Sequence, residues 1–233
     1  MQKDFMIEDN ITTAILVDGG FYRKRLNKTY GELSPQEAAD QLEEYCHRHL
    51  TEYINGTKHY HHLYRIFYYD CPPSDKNIFN PITKKSDTLD KTPIYQWTMD
   101  FFDYLKKKRK FALRMGELSG ISGYYIPIKK TKELLLHQIN IDDIKQEDLA
   151  LEVTQKGVDM RIGLDISSLA YKKLVDQIVL ISGDSDFVPA AKLARREGID
   201  FVLDPLGADV KDSLYEHIDG LNIRDNKFKK KNK

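Results

Sequence analysis

Four unbroken apolar runs stand out along the chain: Thr12–Val17, Leu63–Tyr69, Gln177–Ile181 and Ile199–Leu203. A strand with one wet face alternates polar and apolar positions, whereas a continuous run fits a strand covered on both faces, as in a parallel sheet. Helical spacing fills the intervals. Ser34 and Pro35 supply a cap and a first-turn proline for a helix through Tyr45 and Leu50. Gly163–Lys173 has a helical pattern too. Phe187–Glu197 is the clearest, with Pro189 in its first turn, Ala190, Leu193 and Ala194 on one face, and Gly198 after it. Strand–helix–strand alternation predicts right-handed crossovers and an α/β fold whose mainly parallel central sheet is flanked by helices.

Residues 72–150 break the rhythm. Pro72-Pro73 opens the stretch, and polar turns and two lysine-rich runs follow. Ile94–Lys110 predicts an amphipathic helix carrying Trp97, Phe101, Phe102 and Leu105, and Tyr124–Ile128 predicts a further strand. We read about 74–150 as an insertion after the second core strand of a single domain spanning 10–225. Residues 226–233 then form a basic C-terminal tail, and a chain end of this kind is expected to fray.

Charge narrows the function classes. Lys+Arg and Asp+Glu both number 36 among 233 residues, so a globally basic nucleic-acid binder is excluded and any phosphate affinity must be local. The hydrophobic fraction of 41% permits a substantial core and excludes the low-complexity classes. Cys46 and Cys71 form no CxxC pair and fit reduced thiols. No run approaches the ~18–20 apolar residues of a membrane span. Met1–Asp9 lacks the apolar core of a signal peptide. No membrane association and a cytoplasmic localisation are the expectations.

The informative pattern is where the aspartates fall. Asp18 follows the first strand, Asp70 the second, Asp184 and Asp186 the third within Ser182-Gly-Asp-Ser-Asp186, and Asp204 the fourth. Residues just past the C-terminal ends of parallel strands converge on one edge, where ligands bind. Carboxylates gathered there repel one another, and a divalent cation relieves them. Oxygen donors of this kind suit Mg2+ or Mn2+, and such an ion suits phosphodiester hydrolysis. The plainer reading, aspartates as turn and cap residues, weighs more for Asp70 and Asp204, each closely followed by proline, than for Asp18 and Asp184. Asp159 and Asp165 lie six residues apart, about 240° around a helix, so both cannot face one ion. Asp159 at a helix start also complements the dipole, and Lys156 ahead of it could meet a phosphate.

Val17-Asp18-Gly-Gly, Tyr68-Tyr-Asp-Cys-Pro-Pro73, Lys156-Gly-Val-Asp159 with Asp165, and Ser182-Gly-Asp-Ser-Asp-Phe187 occur in that order. Together with Pro189–Gly198 they resemble the NYN domain family of the PIN-like nuclease superfamily, over most of the chain except roughly 74–150. The resemblance implies a Rossmann-like PIN fold and a metal-dependent ribonuclease site. Its catalytic and metal-binding residues would be Asp18, Asp159, Asp184 and Asp186, with Asp165 and Ser182 in support. One departure is visible. Many family members read Asp-Gly-x-Asn, and here Phe21 stands at the amide position, which leaves Arg23 as an alternative donor.

Other groups weigh less. His59, His61 and His62, with His47 and His49 upstream, lack acidic or cysteine partners at zinc spacing. Lys106, Lys107, Lys108, Arg109 and Lys110 are either a solvated helix face or a contact for a nucleic-acid backbone, beside Tyr95, Trp97 and Tyr104 as stacking groups. No P-loop or dinucleotide fingerprint occurs. A haloacid-dehalogenase-like phosphatase would need a second acid at Gly20. The sequence therefore predicts a metal-dependent nuclease acting on nucleic acid, RNA favoured over DNA, with a homo-oligomer compatible. The alternative is a non-catalytic nucleic-acid-binding or regulatory module of the same fold.

Overall fold

The structure, a computed structural model, describes residues 6–54, 57–119 and 123–229. Lys230–Lys233 of the basic tail and Met1–Phe5 lie outside them. The first half of the chain builds β1 (Met6–Asp18), α1 (Gly19–Tyr30), α2 (Pro35–Arg48), β2 (Thr51–Ile54), β3 (Thr57–Asp70), β4 (Asn77–Asn80), β5 (Lys85–Thr88), α3 (Pro93–Lys107) and β6 (Phe111–Met115). Then follow β7 (Glu117–Ser119), β8 (Tyr124–Tyr125), α4 (Ile128–Leu135), β9 (Ala150–Leu151) and β10 (Thr154–Lys156). The last part holds α5 (Val158–Tyr171), β11 (Gln177–Ile181), α6 (Val188–Arg196), β12 (Asp200–Asp204), α7 (Asp212–Tyr215) and β13 (Gly220–Leu221).

The central sheet runs β13-β12-β11-β1-β3-β2, with β6 also paired to β3. Every pairing in it is parallel except β2 with β3. β3 is long enough to take β2 along its first half and β6 along its second. β1 lies between β3 and β11, where strand order changes direction. This is the mainly parallel α/β sheet, flanked by helices, that the apolar runs predict.

Both faces are covered, which explains the absence of alternation. Ala14, Leu16, Phe67, Tyr69, Ile178, Leu180, Phe201 and Leu203 pack with the buried residues of α5 and α6. Their neighbours Ile15, Val17, Ile66, Tyr68, Val179, Ile181 and Val202 pack with those of α1, α2 and α3. No helix among the described residues is long and apolar enough to cross a membrane.

Several elements differ from expectation. α1 has no sequence forecast, because it opens on Gly19-Gly20 and carries a polar surface. Asp18 caps it, accepting from Phe21 N at 3.0 Å. Gly19 is required there, since a Cβ would stand 2.5 Å from Tyr68 Cζ and 2.6 Å from Tyr69 O. The predicted strand at 124–128 is two residues of β8, after which α4 begins. α5 starts five residues before Gly163, launched from Gly157 at φ 81°, which puts Asp159 at the helix start, as its dipole-complementing role requires. The chain end is also not frayed at its start. Phe228 is 2% exposed and packs edge-on against Tyr30 and Tyr45, at 5.6 and 5.3 Å between ring centres.

Candidate functional site

Pleat parity sorts the strand-end aspartates. Side chains alternate along a strand, so Asp18 continues the Ala14–Leu16 series toward α5, and Ser182 continues Ile178–Leu180 the same way. The two meet: Ser182 Oγ donates to Asp18 Oδ2 at 3.2 Å. Asp70 instead continues Ile66–Tyr68 toward α1 and α3. There it is fully buried, ion-paired with Arg23 at 2.9 Å, and it accepts from Tyr68 OH at 3.0 Å and Cys71 N at 2.8 Å. Asp204 continues Val202 to the same side and accepts from Tyr45 OH, from Leu206 N at 2.8 Å and, across 2.9 Å, meets His49 Nε2. The plainer structural reading therefore describes Asp70 and Asp204.

Asp159 stands in the first turn of α5. Asp184 caps the short turn Ser185–Phe187, accepting from Asp186 N at 3.0 Å, and its own N–H donates to Ser182 Oγ at 3.2 Å. These acids sense one another. Burial pushes the Asp18 carboxyl up to about 6, against the pull of its bonds to Phe21 and Ser182, and the charges of Asp159 and Asp70 add to the rise. Asp159 is also raised, by burial first and then by Asp184 and Asp186. Among the described residues no lysine or arginine is ion-paired with Asp18, Asp159, Asp184 or Asp186. Asp165 is held elsewhere, by Tyr69 OH at 2.8 Å and Arg114 Nε at 3.1 Å.

The fit to a metal ion is a matter of donor chemistry. Among the described residues no group of three or more His, Cys, Asp or Glu side chains is close enough to hold an ion. The set is nevertheless all oxygen and without a cationic partner, the chemistry that Mg2+ and Mn2+ favour.

The basic candidates scatter. Arg23 is bound to Asp70 and so is not free to replace an amide at Phe21. Lys156 is exposed on β10, directly before Gly157, on the acidic side. The run 106–110 sits where β6 begins, whereas the acids lie where the parallel strands end. Five β6 residues, about 17 Å, separate the two edges. Lys106 pairs with Asp103 at 2.8 Å, and Lys107 lies over the Tyr104 ring. Lys108, 13% exposed, binds Asp40 at 2.6 Å and Glu43 at 2.7 Å. Lys110 Nζ donates to Leu63 O, and Arg109 is exposed. His61 is buried, 3.2 Å from Thr13 Oγ1, as a strand histidine rather than a zinc ligand.

Sequence reasoning missed two neighbours of the acids, Gln155 and Lys211, and noted a third, Phe21, only for the amide it replaces. Phe21 lies over Gly183, where a Cβ would stand 2.7 Å from Phe21 Cε2. Gln155 of β10 reaches Gly20, and a Cβ there would be 3.6 Å from Gln155 Oε1 and 3.7 Å from Asp18 Oδ1. Lys211 Nζ donates to Ser185 Oγ at 3.0 Å, between Asp184 and Asp186. Gln155 and Lys211 lie in segments without motif or periodicity, so no signal in the chain points to them.

A mainly parallel α/β sheet with acids gathered at its switch point is the arrangement of a PIN-like nuclease domain. The NYN domain family model matches residues 77–209, more than half of the chain, and the protein belongs to that family, a branch of the PIN-like nuclease superfamily. The match takes in the insertion and begins beyond Asp18 and Asp70. No curated protein matches. Among solved structures, the crystal structure of a Vibrio parahaemolyticus protein of unknown function is similar, at 15% identity over 98% of this chain and 99% of that one, with a TM-score of 0.47. Members of the superfamily generally use divalent metals, and NYN nucleases generally act on nucleic acid.

Proposed function

We propose that the protein is a divalent-metal-dependent nuclease hydrolysing phosphodiester bonds, with RNA as the favoured substrate. The observation that supports this most is the Asp18 carboxyl: half-buried at the strand edge, pushed up to about 6, and facing further acids with no ion-paired base among the described residues. A hard dication relieves that repulsion. Mg2+ or Mn2+ would be held by Asp18, Asp159 and Asp184, with Asp186 assisting. When bound, such an ion supplies a Lewis acid for phosphate oxygens and lowers the pKa of an attacking water.

The chain's own residues do the rest. Ser182 fixes the Asp18 carboxylate through Oδ2 while the α1 backbone holds Oδ1. Exposed Lys156 and Lys211 flank the acids and attract a phosphodiester backbone. Gln155 offers an amide beside Gly20 for orienting water or a phosphate oxygen. Cys46 and Cys71 are buried, and burial pushes both thiols up, so neither serves as a nucleophile.

A trace of protein incubated with labelled single- and double-stranded RNA and DNA tests this. RNA products should form with Mn2+ or Mg2+ and not with EDTA. Asp184→Asn should form none while staying folded. No product on any substrate, together with no Mn2+ binding by calorimetry, would refute it. One observation favours the second reading, a non-catalytic binding module: the Phe21 ring occupies the space over Gly183. Its signature is retained binding without product in all four classes, and Phe21→Asn is then the informative variant.

A further inference from the structure

A cavity of about 310 Å³ lies between α1, the turn after it and the start of α3, and Arg23, Asn27, Glu32, Leu33, Ile94 and Trp97 line it. Its volume is at the lower end of small-ligand sites. Trp97 is held rigidly there: its ring stacks on Phe101 at 5.2 Å between centres, and Nε1 donates to Leu33 O at 2.8 Å. Ile94, 65% exposed, is a large apolar side chain left uncovered beside it. α1 joins this cavity to the acidic edge: Asp18 caps the helix, Arg23 stands five residues further on, about 7.5 Å by helical rise, and its guanidinium binds Asp70 at the end of β3.

The charges choose the occupant. Arg23 is already neutralised by Asp70, and Glu32 adds a negative group, so the lining repels rather than attracts a phosphate. An uncharged, flat group with apolar faces and polar edges fits: Trp97, Leu33 and Ile94 for the faces, Asn27 and Glu32 for the edge. We propose that this cavity is a nucleobase subsite, which seats a base of the strand cleaved at the neighbouring acids and prefers bases bearing an exocyclic amino group. The preference follows from Glu32. A carboxylate accepts from the exocyclic amino group of cytosine, adenine or guanine, at the position where uracil presents a carbonyl oxygen and keeps only its ring N–H for the same acceptor. The inference rests on the nuclease reading, and it adds where the substrate lies and which bases it carries.

Trp97 is the chain's single tryptophan, so its emission and its one indole N–H resonance both report on this cavity alone. Cytidine, adenosine and uridine are titrated without metal, with ribose 5-phosphate as the backbone control. Cytidine and adenosine should shift both signals saturably, with midpoints about tenfold tighter than uridine's. Ribose 5-phosphate should shift neither. Glu32→Gln should bring the nucleosides within about twofold of one another, and Ile94→Glu, at an exposed position, should abolish the response. Asp184→Asn should leave it intact. Signals that ignore all nucleosides, answer ribose 5-phosphate equally, or do not separate uridine from cytidine would overturn the proposal. The two readings fail separately: product with a flat titration removes the subsite, and an intact titration without product removes the nuclease.

Discussion

Replacing Asp18 by Asn should make the metal-free protein more stable at neutral pH. The folded carboxyl binds its proton up to about 6 against an ordinary value of 3.8, and each tenfold in proton affinity is worth about 1.4 kcal/mol. Ionising Asp18 in the folded chain therefore costs about 3 kcal/mol. The sign follows from which state holds the proton longer. Stability from this group is complete below pH 3.8, falls as pH rises through about 6, and is gone above. The amide keeps the shape and the cap acceptor for Phe21 N, and does not ionise. Urea unfolding in EDTA should show little difference between variant and wild type near pH 4. At pH 8 the variant should be ahead by up to about 3 kcal/mol, roughly 6–12 °C in Tm for a chain of this size. Mn2+ should close the gap at a hundredfold excess over Kd, where it stabilises the wild type by about 2.7 kcal/mol, and reverse the order at a thousandfold excess, about 4.1 kcal/mol, while the Asp18→Asn variant gains little. A variant less stable than wild type at pH 8 in EDTA would sink the reasoning, because the carboxylate would then be holding the fold rather than straining it.

Other outcomes follow from packing. Gly19→Ala places a methyl within 2.6 Å of Tyr68 and of the β3 backbone, and should lower stability by about 1–3 kcal/mol in urea unfolding. Phe228→Ala should cost about 3–5 kcal/mol, and a change under 1 kcal/mol would mean the chain end contributes nothing. Lys108→Gln removes a partly buried pairing with Asp40 and Glu43 and should cost about 1 kcal/mol, read as a urea midpoint, with the cleavage rate at saturating RNA unchanged.

Much of this was legible in the chain. β1, β3, β11 and β12 are covered on both faces, and burial on both faces leaves unbroken apolar runs that cannot be mistaken for surface strands. α1 was not legible, since it begins with the two glycines that close approach to Tyr68 demands and that helix propensity disfavours. The strand-end aspartates were legible as a set, but their division was not. Arg23 lies 47 positions from Asp70, and Tyr45 lies 159 from Asp204. Parity divides them only once register is known: Asp18 lies opposite Tyr69, so Asp70 falls on the other face, and that pairing belongs to the sheet rather than to any single run. The basic run misled because its composition says nothing of which sheet edge α3 ends on.

The position of β1 between β3 and β11 also governs when the acidic edge can form. Ser182, which fixes the Asp18 carboxylate, is made 164 positions after it. At about 5–20 residues per second, roughly 8–33 s of synthesis separate the two. During that interval the emerging chain carries Asp18 on a central strand whose second neighbour does not exist. The acids at the ends of β1 and β11 therefore meet only after most of the chain has been made, whatever chemistry they then carry out.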